Sequence, residues 1–152
     1  MTSPTSALHR VIYLSTAVGV LRADELDRIF LRSRAANGKA GITGLLLFCE
    51  GTFLQMLEGP LANVSSLMQK IRGDRRHNAM TIVHAAPCLA RTFPDSALHY
   101  VTARNLTAGE KQAFADLRAA VQARPTLLGP PAPGPETGVS AFMTSFAAIR
   151  VA

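Results

Sequence analysis

The sequence predicts an α+β domain: a mostly antiparallel sheet with helices packed on both of its faces. Three observations carry that expectation. The stretch Gly41–Gly59, GITGLLLFCEGTFLQMLEG, has two apolar arms around a short Cys49-Glu50-Gly51 link, the form of a β-hairpin. Period-2 and period-3.6 patterns alternate along the chain as strand, helix, strand, strand, helix, strand, strand. The first strand and the hairpin are apolar on both faces, and two helices can cover only one of them.

Residues 1–8 read as a loose tail. Arg10 to Thr16 is the first strand, with Val11, Tyr13 and Ser15 on one face and Ile12 and Leu14 on the other. A connection with Gly19 leads to a helix starting near Asp24, which can cap its own first turn. Leu26, Ile29, Phe30, Ser33 and Asn37 lie on its inner side, and Asn37-Gly38 is a helix stop. In the second hairpin arm, Phe53, Gln55 and Leu57 share one face, while Leu54, Met56 and Glu58 share the other. Pro60 opens a second helix with Val64, Leu67, Met68 and Ile71 as its buried stripe and Gly73 as its stop. Ala79 to Ala86 is a fourth strand, broken at Pro87, and 93–101 holds a shorter fifth. The first six elements form the split β-α-β-β-α-β, ferredoxin-like arrangement, with both helices on one face.

The remaining chain supplies cover for the other face. Residues 106–121 read as a helix, with Thr107 and Glu110 as a capping box and Phe114, Leu117 and Val121 as a stripe. Residues 125–135 are a linker rich in proline. Residues 139–151 form a last amphipathic helix anchored by Val139, Phe142, Phe146 and Ile149. These helices belong on the open sheet face or, alternatively, form a surface for self-association. The domain therefore divides into a core at 9–101 and a helical extension at 102–152.

Composition narrows the function. With 152 residues, 48% of them hydrophobic, the chain can fill one real core. No run reaches the ~18 apolar residues of a membrane span, and the first eight residues lack a signal-peptide pattern. Cys49 and Cys88 sit in apolar strand contexts, as free thiols of a reducing, cytoplasmic protein do. The net charge of +6 is spread out, with one concentration at Lys70-Ile71-Arg72-Gly73-Asp74-Arg75-Arg76-His77. That segment suits a phosphate-bearing small molecule, a nucleic acid or a mere solvated helix end; no exposed aromatics neighbour it, which disfavours nucleic acid. The four histidines have no metal-ligand spacing, and Glu50 and Glu58 make no working carboxylate pair. An acylphosphatase-type enzyme would need an arginine in the loop after the first strand, where Ala17-Val18-Gly19 stands.

Tyr13, Ser15, Asn37 and Gln55 are polar groups directed into an apolar interior. Each has an ordinary explanation: a core tyrosine, a helix-capping asparagine, a glutamine tied to nearby backbone. Together they can also surround a slot between helices and sheet, walled by Ile29, Phe30, Phe53 and the stripe of the second helix, with Lys70, Arg72, Arg76 and His77 at its mouth. Such a slot suits a planar heterocycle carrying a phosphate.

The chain resembles the BLUF domains, flavin-binding sensors of blue light. The likeness rests on VIYLSTA at 11–17, SRAANGKAGITGLLLFCEGTFLQMLEGP at 33–60 and IRGDRRH at 71–77, with a weaker match at 89–99. It implies an oxidised flavin, FAD or FMN, held between the first two helices. It implies that Tyr13 gives an electron and then a proton to the excited flavin. Gln55 would be the amide between tyrosine and flavin whose rearrangement shifts absorption to the red. Asn37 would grip the flavin carbonyl edge, with Lys70, Asp74, Arg76 and His77 on the ribityl and phosphate side. No substrate is turned over, so the output passes to a protein partner or to self-association. A flavin module without signalling and a ferredoxin-like nucleic-acid binder are the alternatives. Two positions depart from the common pattern: Ser96 and Leu98 stand where many members carry Trp and Met, and Ala36 stands where histidine often precedes the asparagine.

Overall fold

The computed structural model describes residues 7–122. Five strands form one sheet in the order β4-β1-β3-β2-β5. They are β1 (Leu8–Ala17), β2 (Thr43–Cys49), β3 (Thr52–Pro60), β4 (His77–Cys88) and β5 (His99–Thr102). The helices are α1 (Ala23–Lys39), α2 (Leu61–Arg72) and α3 (Ala108–Gln122), with a single 3₁₀ turn at Ala103–Asn105. Strand β1 pairs antiparallel with both β3 and β4, β2 pairs antiparallel with β3, and β5 joins β2 in parallel. The expected split β-α-β-β-α-β core is thus present, extended by β5.

The hairpin closes through Glu50 and Gly51, both at positive φ (49° and 77°). Two consecutive left-handed residues make the tight turn that matches strand twist, and that turn fixes the β2–β3 register. The register places Leu54 and Met56 in a core on one side of the sheet with Ile12, Leu14, Leu45, Leu47 and Val83. Phe114 and Val121 of α3 join that core, and Leu117 packs against it. The other side divides in two. Val11, Tyr13 and Leu57 meet the α2 stripe, Val64 and Met68. Leu46, Phe53 and Leu98 meet Leu26 and Phe30 of α1. The α1 stripe is only half-buried until Asn37, because α1 leans over a cleft rather than a filled core.

Three boundaries differ from expectation. Helix α1 is capped at Arg22, and Asp24 instead pairs with Arg22 and Arg28 on the surface. Strand β4 runs through Pro87 to Cys88. It is an edge strand, where a missing N–H need not interrupt a ladder. Strand β5 is confined to four residues, with an irregular connection at 89–98 before it. The capping box on α3 forms as read: Glu110 N donates to Thr107 Oγ1 at 3.1 Å and Thr107 N to Glu110 Oε1 at 2.8 Å. The expected helix at 139–151 and the linker at 125–135 lie outside the described residues.

Candidate functional site: a cleft between the helices and the sheet

Tyr13 and Gln55 face each other directly across the β1–β3 ladder. Both lie on the helix side of the sheet, 3% and 4% exposed. Cross-strand partners are within side-chain reach, so strand pairing alone brings phenol and amide together. The Tyr13 hydroxyl donates to Gln55 Oε1 in a short hydrogen bond. Burial, and secondarily the Asp74 carboxylate, hold the Tyr13 hydroxyl well above the ordinary phenol range. The phenol therefore keeps its proton and remains a donor. With Oε1 occupied by the phenol, the amide nitrogen of Gln55 is left to donate elsewhere.

The two residues belong to a cleft of about 410 Å³, counting the part open to solvent. Ile29 and Ser33 of α1, Ser15 of β1, Leu46 of β2, Phe53 of β3 and Ile71 of α2 form its walls; Asp74, Arg76 and His77 close one end. His77 lies 6.4 Å from both the Tyr13 and Phe53 rings, centroid to centroid. Its Nε2 sits 2.7 Å from the Ile71 carbonyl oxygen, which can only accept, so in the neutral ring Nε2 carries the proton. Nδ1 is then an acceptor, and it is buried without a protein partner. The Ser15 hydroxyl is the other buried group without one. Among the described residues these two orphans are the only such side-chain atoms, and both belong to residues lining the cleft. Buried polar groups left unpaired by the protein are open to a partner from outside it, a water or the polar atoms of a ligand.

Asp74 and Arg76 form a local ion pair. Arg76 Nε donates to Asp74 Oδ1 at 2.9 Å, and the guanidinium holds the carboxyl below the usual carboxylate range. The cationic mouth expected from sequence is thus partly neutralised within itself. Eight of the sequence-derived candidates meet in the cleft: Tyr13, Ser15, Ile29, Phe53, Gln55, Asp74, Arg76 and His77. Three do not line it. Phe30 stacks on Tyr100 at 4.6 Å. Lys70 is exposed near the end of α2. Asn37, 1% exposed at the last turn of α1, donates from Nδ2 to the Ala97 carbonyl at 2.8 Å. Arg72, also expected at the mouth, lines a separate groove with Val64 and Met68. Of the α2 stripe expected as a wall, Ile71 lines the cleft, whereas Val64 and Met68 line the separate groove; Ser33 and Leu46 line the cleft without having been singled out for it. Ser33 and Ile71 lie on the inward stripes of their helices, and Leu46 stands opposite Gln55 on β2, so register was the signal that could have found it. Leu98, in the position where many family members have methionine, is buried beside Leu46 and Phe53.

An apolar slot with two orphaned polar groups and a buried phenol–amide pair suits a bound planar cofactor. The chain belongs to the BLUF family, described as sensors of blue light using FAD; the family model matches residues 8–99. It is 37% identical over 89 residues to the photoactivated adenylate cyclase subunit beta of Euglena longa. That match takes in 59% of this chain but only 10% of that protein, so the chain spans about a tenth of its curated relative. Among solved structures, the dark state of the BLUF protein BlrB aligns over 95% of this chain and 98% of its own, at TM-score 0.73 and 26% identity. Klebsiella pneumoniae BlrP1, solved with FMN and cyclic diGMP, aligns over 73% of this chain and 30% of its own, at TM-score 0.62 and 29% identity. The protein is a blue-light sensor domain that uses a flavin. Among the described residues, no helix is long and apolar enough to cross a membrane.

Proposed function

We propose that Tyr13 and Gln55 are the photoactive pair and that the cleft they share holds the flavin, as FAD or FMN. The observation that carries this is the buried Tyr13–Gln55 hydrogen bond inside a cleft that also contains the orphaned Ser15 Oγ and His77 Nδ1. Ile29, Phe53 and Leu46 supply apolar surface for a ring. Asn37 and Ser15 supply polar grip at its edge, and Asp74, Arg76 and His77 serve the ribityl and phosphate side, with Lys70 able to reach a phosphate from the surface. A bound flavin supplies blue absorption and, once excited, an acceptor for an electron from a phenol. Tyr13 holds on its hydroxyl the proton that would follow the electron to the ring, and its bond to Gln55 Oε1 sets the line along which that proton would pass, the amide taking one at its oxygen as it releases one from its nitrogen. The amide of Gln55 has a donor end and an acceptor end, so turning it end over end presents a different group to the phenol and to the cleft. That gives two hydrogen-bonding states from one side chain, a bistable element of the kind a sensor needs.

The output is proposed to reach a protein partner, by analogy with relatives that are subunits of photoactivated adenylate cyclases. Self-association through the extension at 102–152 is the other route, and the unit that binds flavin is taken as 9–101. The free thiols Cys49 and Cys88 fit a reducing, cytoplasmic setting. Light-minus-dark absorption of flavin-loaded Tyr13→Phe and Gln55→Leu proteins tests the pair. Both should keep flavin and lose the reversible red shift. A full, reversible shift in either variant would show that another residue carries the photochemistry.

A further inference from the structure

Glu58 is 0% exposed, on the face of β3 turned away from the cleft. Its carboxylate accepts from Arg10 Nε at 2.7 Å, from Thr92 N at 2.7 Å and from Thr92 Oγ1 at 3.0 Å. Arg10 also donates to Thr92 Oγ1 at 3.1 Å and to the Ala90 carbonyl at 3.3 Å. Burying a carboxylate is costly unless every oxygen is met, and here the partners converge on one segment. That segment is the 89–98 connection, which crosses from β4 at one edge of the sheet to β5 at the other.

The held segment reaches back to the site. Arg91, beside the fixed Thr92, donates to Thr43 Oγ1 and the Glu58 carbonyl, both at 2.9 Å, and to the Gly41 carbonyl at 2.8 Å. Gly41 follows the end of α1, where the Asn37 carbonyl accepts from Ala40 N at 3.1 Å and Ile42 N at 2.9 Å. Further along the connection, the Ser96 carbonyl accepts from Gly44 N at 3.2 Å and the Ala97 carbonyl from Asn37 Nδ2. The last turn of α1 is therefore gripped twice, by main chain next to Asn37 and by the Asn37 side chain itself. Neither Glu58 nor Arg91 lines the cleft.

We propose that Glu58 and Arg91 are positioning residues for flavin recognition: by fixing residues 90–98 they set the direction of the Asn37 amide. One N–H of that amide is committed to Ala97, which determines where its oxygen and second N–H point. The inference rests on the assignment of Asn37 to the flavin edge made above. The test uses flavin-loaded Glu58→Gln and Arg91→Met proteins, each also in an Asn37→Ala background. Flavin affinity is measured in all of them, and the Asn37 side-chain amide resonance in those that keep Asn37. The expected result is a moved resonance and an affinity loss of about threefold to tenfold, shrinking below about twofold once Asn37 is alanine. Arg91→Met leaves every partner of the Glu58 carboxylate in place, since Arg91 bonds only the Glu58 main-chain carbonyl, so it reports even if Glu58→Gln does not fold. An unmoved resonance, or the same fold-loss in both backgrounds, overturns the proposal. Flavin binding and the red shift of the parent protein judge the flavin assignment separately.

Discussion

Gly44, the glycine of the Ile-Thr-Gly sequence, allows a sharp test of how closely this sheet is built. It lies on β2 opposite Leu57, and its N–H bonds to Ser96. A methyl group on its Cα would stand 1.9 Å from the Met56 carbonyl oxygen and 2.9 Å from the carbonyl carbon. The obstacle is backbone in a central strand, paired on both sides through Ile12 and Leu45, so no side-chain rotation relieves it. Strands β2 and β3 must separate locally. Overpacking costs about 1–3 kcal/mol, and a buried ladder bond lost costs about as much again, so Gly44→Ala should destabilise by about 2–6 kcal/mol. For a chain of this size that lowers the melting temperature by roughly 10 °C or more. Gly38→Ala is the matched control. Gly38 is exposed near the end of α1, the closest atom to an added methyl is Ala97 Cβ at 3.9 Å, and alanine there should stabilise by about 0.5–1 kcal/mol. The assay is urea denaturation of both proteins, saturated with flavin and followed by far-UV circular dichroism. A Gly44→Ala midpoint within about 0.5 kcal/mol of the parent would refute the close approach as the reason for glycine.

Asn37→Ala should weaken flavin binding about tenfold to a hundredfold, the worth of one hydrogen bond to a buried partner, and titration of the flavin-free protein checks it; unchanged affinity removes Asn37 from the site. Because Tyr13 is held above the phenol range, an unfolded chain releases that proton near pH 10 while the folded one keeps it. The unfolded state then binds fewer protons, so stability falls as pH rises from about 10, by up to about 1.4 kcal/mol per pH unit from this group. Tyr13→Phe should show a shallower decline between pH 9 and 11, and equal slopes would count against the shift. Glu50 occupies a left-handed position at φ 49°, so Glu50→Asn should stabilise by a few tenths of a kcal/mol in thermal unfolding, whereas a loss would give weight to its 3.5 Å ion pair with Arg118.

Much of the fold was legible because its signals are local. The alternation in Thr52–Leu57 assigns Gln55 and Leu54 to opposite faces, and the Thr107–Glu110 spacing announces the start of α3. Register was also partly legible: once Tyr13 and Gln55 were both inward, strand pairing could bring them opposite. What escaped depends on distant partners. Pro87 breaks a strand only if its N–H is needed, and its position at a sheet edge is a property of topology. Arg76 reads as a free cation until Asp74, two residues back, folds onto it. Phe30 has the right helical face for the cleft but is taken by Tyr100, seventy residues later. Glu58 shares a strand face with Leu54 and Met56, but nothing near it in sequence says what meets its charge; its partners, Arg10 and Thr92, are each more than thirty residues away.

The turn at Glu50–Gly51 has a reach beyond its own stability. A hairpin's side chains alternate with a period of two, so the pairing offset chosen at the turn assigns every residue of β3 to a side. As built, Gln55 looks toward the helices while Glu58 is sealed on the other side. A slip by one residue would carry Leu54 and Met56 into the cleft and hide the amide among the aliphatic side chains under α3. The two positive torsions at the tip thus act as an address for the amide side chain four residues downstream, and changing the loop length by one would erase that address while leaving every residue of the strand in place.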